Sequence, residues 1–232
     1  MKLRKCRIGD YIKDVASGPF GSNLKVECFV PSGFPIIDGA NLTGLKVSDN
    51  ITKFVTEEKA RTLSRSIAKR RDVIVTISGT LGQISYIPDN SKYTEYLCSQ
   101  RQFRVTFDES KICVEYLVNL LRTPYGQRKI LAFANYVGVP ALSQPIPNFK
   151  NIEVYLPDLP TQLRIAAIIF NTRSEGCRAD IVRIAHRSSI SVKRFSISST
   201  VGIMPLTAFG ANLDNSYSKL ETGCFQFPDG IA

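Results

Sequence analysis

Tryptophan is absent from the 232 residues, and histidine occurs once. That residue, His186, lies in a stretch rich in Ser and Arg, so chemistry that needs a histidine base has one poorly placed candidate. The cysteines, Cys6, Cys28, Cys98, Cys113, Cys177 and Cys224, are scattered singly with no C-x-x-C pair. That spacing excludes a Cys/His zinc site and a thioredoxin-like motif, and it suits idle or buried thiols in a reducing cytoplasm. No apolar run approaches the roughly 18 residues of a membrane span, and Met1 to Asp14 is charged where a signal peptide would be apolar. A cytoplasmic protein without membrane partners is the expectation. Also missing are the G-K-[ST] ending of a phosphate-binding loop, a G-x-S-x-G nucleophile turn, an N-P-P-Y-like methyltransferase tetrad and a legible acidic metal cluster. Catalysis has no visible seat, and neither cofactor nor metal is expected.

What the chain does have is positive charge. Lys and Arg number 30 against 20 Asp and Glu, for a net charge of +10, on an ordinary globular background of 44% apolar residues. The segment from Lys53 to Arg71 concentrates seven basic residues against Glu57 and Glu58. Clustered cations suit a phosphate backbone, because each neutralised phosphate releases counterions. A solvated helix face gives the same pattern, and composition leaves both readings open.

The element pattern is that of a mixed α/β (α+β) domain of short strands. Phe34 to Ile37, Ile51 to Val55, Val73 to Ile77, Gln83 to Ile87 and Ile152 to Leu156 read as strands, and Ser78 to Gly82 links two of them as a hairpin. Thr56 before Glu57 and Glu58 is a helix N-cap with acids in the first turn. Phe103, Val105 and Phe107 alternate along a further strand. Val114, Leu117, Val118 and Leu121 follow at i, i+3, i+4 and i+7, the stripe of an amphipathic helix. Thr123 and Pro124 offer the start of a second helix, and Val137 to Pro147 reads as an irregular loop with three prolines. Pro157 and Pro160 mark an edge, which divides the chain into a domain at 1–160, a partial helix at 161–200 and a weakly ordered tail at 201–232.

Five blocks, in order, resemble the target-recognition domain of type I restriction-modification specificity subunits. They are Gly18-Pro19-Phe20-Gly21-Ser22-Asn23 with Gly33 to Ile37 and Asn41; Arg71 to Thr76 with Ser78-Gly79-Thr80-Leu81-Gly82-Gln83; Ser99-Gln100 before Phe103; Gly138 to Pro145; and Leu156-Pro157 through Gln162, Ile165 and Ala166. The resemblance implies one recognition domain of short twisted strands with peripheral helices, followed by a spacer helix. It also implies DNA recognition without catalysis: a subunit that reads half of a split double-stranded DNA target and directs methyltransferase (modification) and restriction partners to it. Arg61, Arg65, Lys69 and Arg70 are the candidates for phosphates, and Ser78, Thr80, Gln83, Gln100, Arg101 and Gln144 for base edges or their support. Motif residues in a domain that must vary its specificity are more often fold-determining than base-reading.

The sequence departs from the family at two places. Arg71 stands where Gly usually precedes the Asp. Length is the other departure, since a full specificity subunit resembles two such domains with paired spacer helices, so a homodimer or a second specificity chain would supply the other half-site. After about Phe170 the helical pattern gives way to Ser and Arg, as a shifted reading frame or divergence would produce. The readings of a different class are a protein-interaction module whose charge is incidental and the detached recognition part of a single-chain restriction enzyme.

Overall fold

Alternating apolar side chains decide the layering. The computed structural model describes residues 3–19 and 23–171, the last two by backbone alone; most of the partial helix at 161–200 and the whole tail at 201–232 lie outside the described residues. In chain order the strands are β1 (Arg4–Arg7), β2 (Ile12–Ser17), β3 (Phe29–Val30), β4 (Phe34–Ile37), β5 (Phe54–Val55), β6 (Ile67–Lys69), β7 (Val73–Thr76), β8 (Ile84–Tyr86), β9 (Glu95–Cys98), β10 (Gln102–Phe107), β11 (Ala134–Asn135), β12 (Ala141–Leu142) and β13 (Glu153–Leu156). The helices are α1 (Glu57–Thr62), α2 (Val114–Arg122), α3 (Pro124–Leu131), α4 (Pro145–Asn151) and α5 (Leu159–Asn171).

A four-stranded antiparallel sheet in the order β2-β10-β7-β8 and a five-stranded sheet in the order β3-β5-β4-β9-β6 form the body. Within the second sheet β4 and β9 run parallel, with Ile36 opposite Leu97. Period-two alternation sends successive side chains to different cores. Val73 and Val75 of β7 join the main core with Phe103, Val105 and the α2 stripe, whereas Ile74 joins a second core with Ile37, Tyr96 and Cys98. Phe34, Ile36, Ile67 and Leu97 point to the opposite side of the five-stranded sheet and make a third cluster with Val55 and Ala60. That sheet is therefore buried on both faces.

The expected helices form for the expected reasons. Val114, Leu117, Val118 and Leu121 are all fully buried. The Thr56 hydroxyl accepts the Lys59 N–H and the Thr123 hydroxyl accepts the Gly126 N–H, each capping a helix. The loop expected over Val137 to Pro147 is corrected: its middle pairs as β12 and its end forms α4. Pro145 and Pro147 sit in the first turn of that helix, where the N–H groups have no intrahelical partner, so proline removes nothing. Gln144 turns the chain into α4 with φ 41°. At the other end of the domain, the buried Gln162 side chain accepts the Cys113 N–H at 3.0 Å and donates to the Pro157 carbonyl at 3.0 Å, which fastens α5 to the start of α2. Leu163 and Ala166 complete the packing inside the main core.

Arg71, counted in the basic run, faces inward. It lies between β6 and β7 with φ 75°, a left-handed conformation that costs an L side chain about 1–2 kcal/mol. Its guanidinium reaches Glu115 on α2 at 2.6 Å and Glu109 at 2.8 Å, lies 3.8 Å from Asp89, and sits over the Tyr86 ring. Burial disfavours its charge, but Glu115 and Glu109 more than compensate, so its pKa is raised. Truncating one member of such a pair leaves the other charge buried alone, which costs about 3–5 kcal/mol. Arg71→Ala is therefore expected to lower the unfolding free energy by that amount in urea titration. Arg71→Gly combined with Glu115→Gln, which removes both the backbone strain and the orphaned charge, is expected to regain most of it. A loss below about 1 kcal/mol for Arg71→Ala contradicts this account.

Candidate nucleic-acid interface

The four cations expected to meet phosphate do not form one free patch. Arg61, on α1, pairs with Glu57 at 2.6 Å and with Glu95 of β9 at 2.9 Å, and its guanidinium covers the Phe34 ring. Lys69, at the end of β6, shares Glu95 at 3.5 Å. Arg70 donates to the Ser91 carbonyl at 2.8 Å. Arg65 differs: among the described residues its side chain makes no hydrogen bond or ion pair. It stands on the 3-10 turn Ser64–Ser66, whose carbonyl at Arg65 accepts from Arg104 Nε at 3.0 Å while Arg104 Nη2 holds Asp14 at 2.8 Å. The Ser66 hydroxyl donates to the Ser17 carbonyl at 2.9 Å, so the turn is fixed against β2.

Arg65 borders an open cleft of about 460 Å³ lined also by Ser17, Gly18, Pro19, Asn23, Ser64 and Ile146. Gly18 closes one side of it by donating to the Gln102 carbonyl at 2.7 Å, and a Cβ there would run into the Ser99 carbonyl. That approach explains the glycine of the first motif block. Ile146 brings the start of α4 to the same cleft. Ser17, Ser64 and Ile146 were not singled out by sequence, because nothing in their spacing shows that β2, the turn after α1 and α4 converge.

The polar candidates divide as well. The turn after β7 carries Ser78 and the exposed Thr80 between Gly79 and Gly82, both at positive φ near 85°. Hydrogen bonds join this turn to two others: the Ile77 N–H donates to the Arg101 carbonyl at 2.7 Å, and the Gly79 N–H donates to the Pro140 carbonyl at 2.9 Å. Ser78 also bridges to Ala141, three residues before Gln144. Ser78, Thr80, Arg101 and Gln144 thus lie on three linked turns, with Thr80, Arg101 and Gln144 exposed. Gln100 turns aside to donate to the Leu24 carbonyl at 2.8 Å. Gln83 accepts from the Thr76 hydroxyl at 3.3 Å and lines a separate polar cleft of about 310 Å³ with Thr43, Arg122 and Gln127.

No catalytic constellation appears among the described residues. Burial pushes the Cys98 thiol up to about 12, and it raises Cys113 as well, so neither is a nucleophile at neutral pH. Among the described residues no group of three metal-ligating side chains occurs, and no helix is long and apolar enough to cross a membrane.

Comparison with known proteins identifies the family and the fold. The family model described as type I restriction modification DNA specificity domain matches residues 24–175. No curated protein matches the chain. Among solved structures, a chain from work on complex assembly and conformational transition of the type I R-M system is similar with a TM-score of 0.52 and 14% identity, over 80% of this chain and 40% of that one. The S subunit of a type I restriction-modification system from M. genitalium is similar with a TM-score of 0.51 and 18% identity, over 80% of this chain and 43% of that one. At these identities the likeness shows the fold, and the chain spans about two fifths of the length of each.

The Arg65 turn carries a pH dependence. Arg104 holds Asp14 below the usual carboxylate range, so the stability this pair adds is present above about pH 4 and is lost as the pH falls through the lowered pKa. Asp72 has the opposite sign: burial raises its pKa against hydrogen bonds from Thr106 and the Lys69 N–H, so its contribution weakens as the pH rises through that raised value. Wild type is expected to lose thermal stability on acidification below pH 4, and Asp14→Asn to lose less over the same interval. Equal acid sensitivity in scanning calorimetry contradicts the assignment.

Proposed function

Because the chain belongs to the type I restriction-modification DNA specificity domain family, we propose that it recognises one half of a split duplex DNA target and performs no chemistry itself. What supports this reading is that backbone hydrogen bonds link the segments at 77–79, 101 and 140–142, that Thr80, Arg101 and Gln144 on or next to them are exposed, and that the chain carries a net charge of +10. Rigid strands holding polar loop residues at fixed spacing suit base edges in the major groove, and cations set to the side suit phosphates. Arg65 is the best placed of these, and Lys69 and Arg70 reach phosphate where their hydrogen-bond partners yield to it. Ser78, Gln83 and Gln100 support the turns, and Arg61 ties α1 to β9 through Glu95.

In this reading 1–160 is the recognition domain and α5 begins a spacer over 161–200 that meets the partners, with 201–232 as a tail. The partners are a methyltransferase subunit and a restriction subunit, in the cytoplasm, with the second half-site read by another copy or another specificity chain. A symmetric pair would read an inverted repeat. The test is binding to duplexes selected from a randomised library. The logarithm of affinity is expected to fall linearly with the logarithm of salt concentration, and Arg65→Ala with Lys69→Ala and Arg70→Ala is expected to reduce the slope by roughly 0.9 for each phosphate no longer neutralised. Salt-independent binding, which an apolar protein interface would give, or an unchanged slope in the triple variant, counts against the reading.

A further inference from the structure

The hairpin of β11 and β12 ends in a run of exposed apolar side chains that packing inside the domain does not explain. Tyr136, Val137 and Val139 are 65%, 87% and 65% exposed. Gly138 between them has φ 74° with open space where a Cβ would stand. Apolar side chains clustered in water mark a surface that something covers.

The tip is held firmly. Ala134 and Asn135 pair with Leu142 and Ala141, and the Asn135 side chain accepts the Val137 N–H at 2.9 Å. The Leu142 N–H donates to the Ile77 carbonyl at 2.8 Å, and the Gly79 N–H donates to the Pro140 carbonyl, so β12 is bonded to the segment that continues β7 out of the four-stranded sheet. A short two-stranded ribbon therefore projects beside Thr80 and Arg101. The surrounding sequence fits a polyanion: between Glu115 and Glu153 no acidic residue occurs, whereas Arg122, Arg128, Lys129 and Lys150 do.

We infer that this ribbon enters the major groove of the target and that Val137 and Val139 contact thymine 5-methyl groups. The inference rests on the DNA-recognition reading above and adds to it the chemistry read at one position. The major groove is wide enough for a two-stranded ribbon, and the thymine methyl is the apolar feature that distinguishes an A·T pair there. The polar turn residues beside the tip would read hydrogen-bonding edges of neighbouring pairs, so one surface would sample both kinds of base signal.

The experiment uses the full chain and the duplex that it enriches from a randomised library. Each thymine of that duplex is replaced singly by uracil, which removes the methyl group and leaves the pairing edge intact. Wild type is expected to lose about fourfold in affinity at one thymine or more, the loss that one buried methyl implies. Val137→Ser with Val139→Ser is expected to bind the parent duplex more weakly and to bind the uracil duplexes equally well as the parent. Both replaced side chains are exposed, so the melting midpoint should not move. A double variant that binds like wild type, or one that keeps the same uracil penalty, overturns the inference and leaves the tip to a protein partner. Enrichment of no duplex at all overturns the DNA reading itself, a result distinct from binding that ignores the methyl groups.

Discussion

Arg71 is the interaction on which the domain's geometry turns. One guanidinium joins the corner between β6 and β7 to Glu115 on α2 and to Glu109 on the segment leading to that helix. β6 belongs to the five-stranded sheet and β7 to the four-stranded one, so this corner fixes how the chain passes from one sheet to the next. A glycine there would take the left-handed backbone without strain. This chain accepts the strain and gains a cation that allows Glu115 to be buried at 2% exposure on a helix otherwise apolar toward the core. Glu115 and Arg71 are thus mutually dependent: each is tolerable inside only because the other is there.

From that corner β7 runs directly to the exposed surface. It pairs with β10 on one side and β8 on the other, and its end continues through Ile77 and Ser78 into hydrogen bonds with the turns at 99–101 and 140–142. Turns linked this way have little freedom to rearrange, which in the proposed reading suits discrimination among base pairs, because the cost of ordering loops is met in folding and not in binding. The Arg65 turn is held from both sheets, by the Ser66 hydroxyl on the Ser17 carbonyl of β2 and by the buried start of β6 at Ile67 and Ala68.

Strands β4, β5, β7, β8, β10 and β13, the hairpin after β7, the α2 stripe and both threonine caps were legible because each follows from local periodicity or capping chemistry, whereas β1, β2, β3, β6, β9, β11 and β12 carry no such local pattern. The first-turn prolines of α4 were misread, since three prolines so close together resemble a loop until their position relative to a helix start is known. Charge was the least legible property. Sequence spacing gathers Lys53 to Arg71 into one basic run, but Glu95, distant in the chain and adjacent in the sheet, takes up Arg61 and Lys69, and Arg71 turns inside. Long-range pairing of that kind has no signature in spacing. Several motif residues prove to be braces: buried Asn41 donates to the Asn50 carbonyl at 3.0 Å, and Gln162 bridges two segments of the main core. The apolar hairpin tip left only the short run Tyr-Val-Gly-Val in the sequence, and from Val137 onward it fell inside the stretch read as an irregular loop.

The central claim is that the linked turns, together with the hairpin tip, form the surface that meets DNA. Amide hydrogen exchange of the full chain, with and without an excess of its selected duplex, tests this most directly. Slowed exchange confined to the segments around Thr80, Arg101 and Tyr136 to Gln144, with α2 and α3 unchanged, is the expected result. Protection on α2 and α3 with the turns unaffected, or no difference with a duplex that demonstrably binds, would contradict the account.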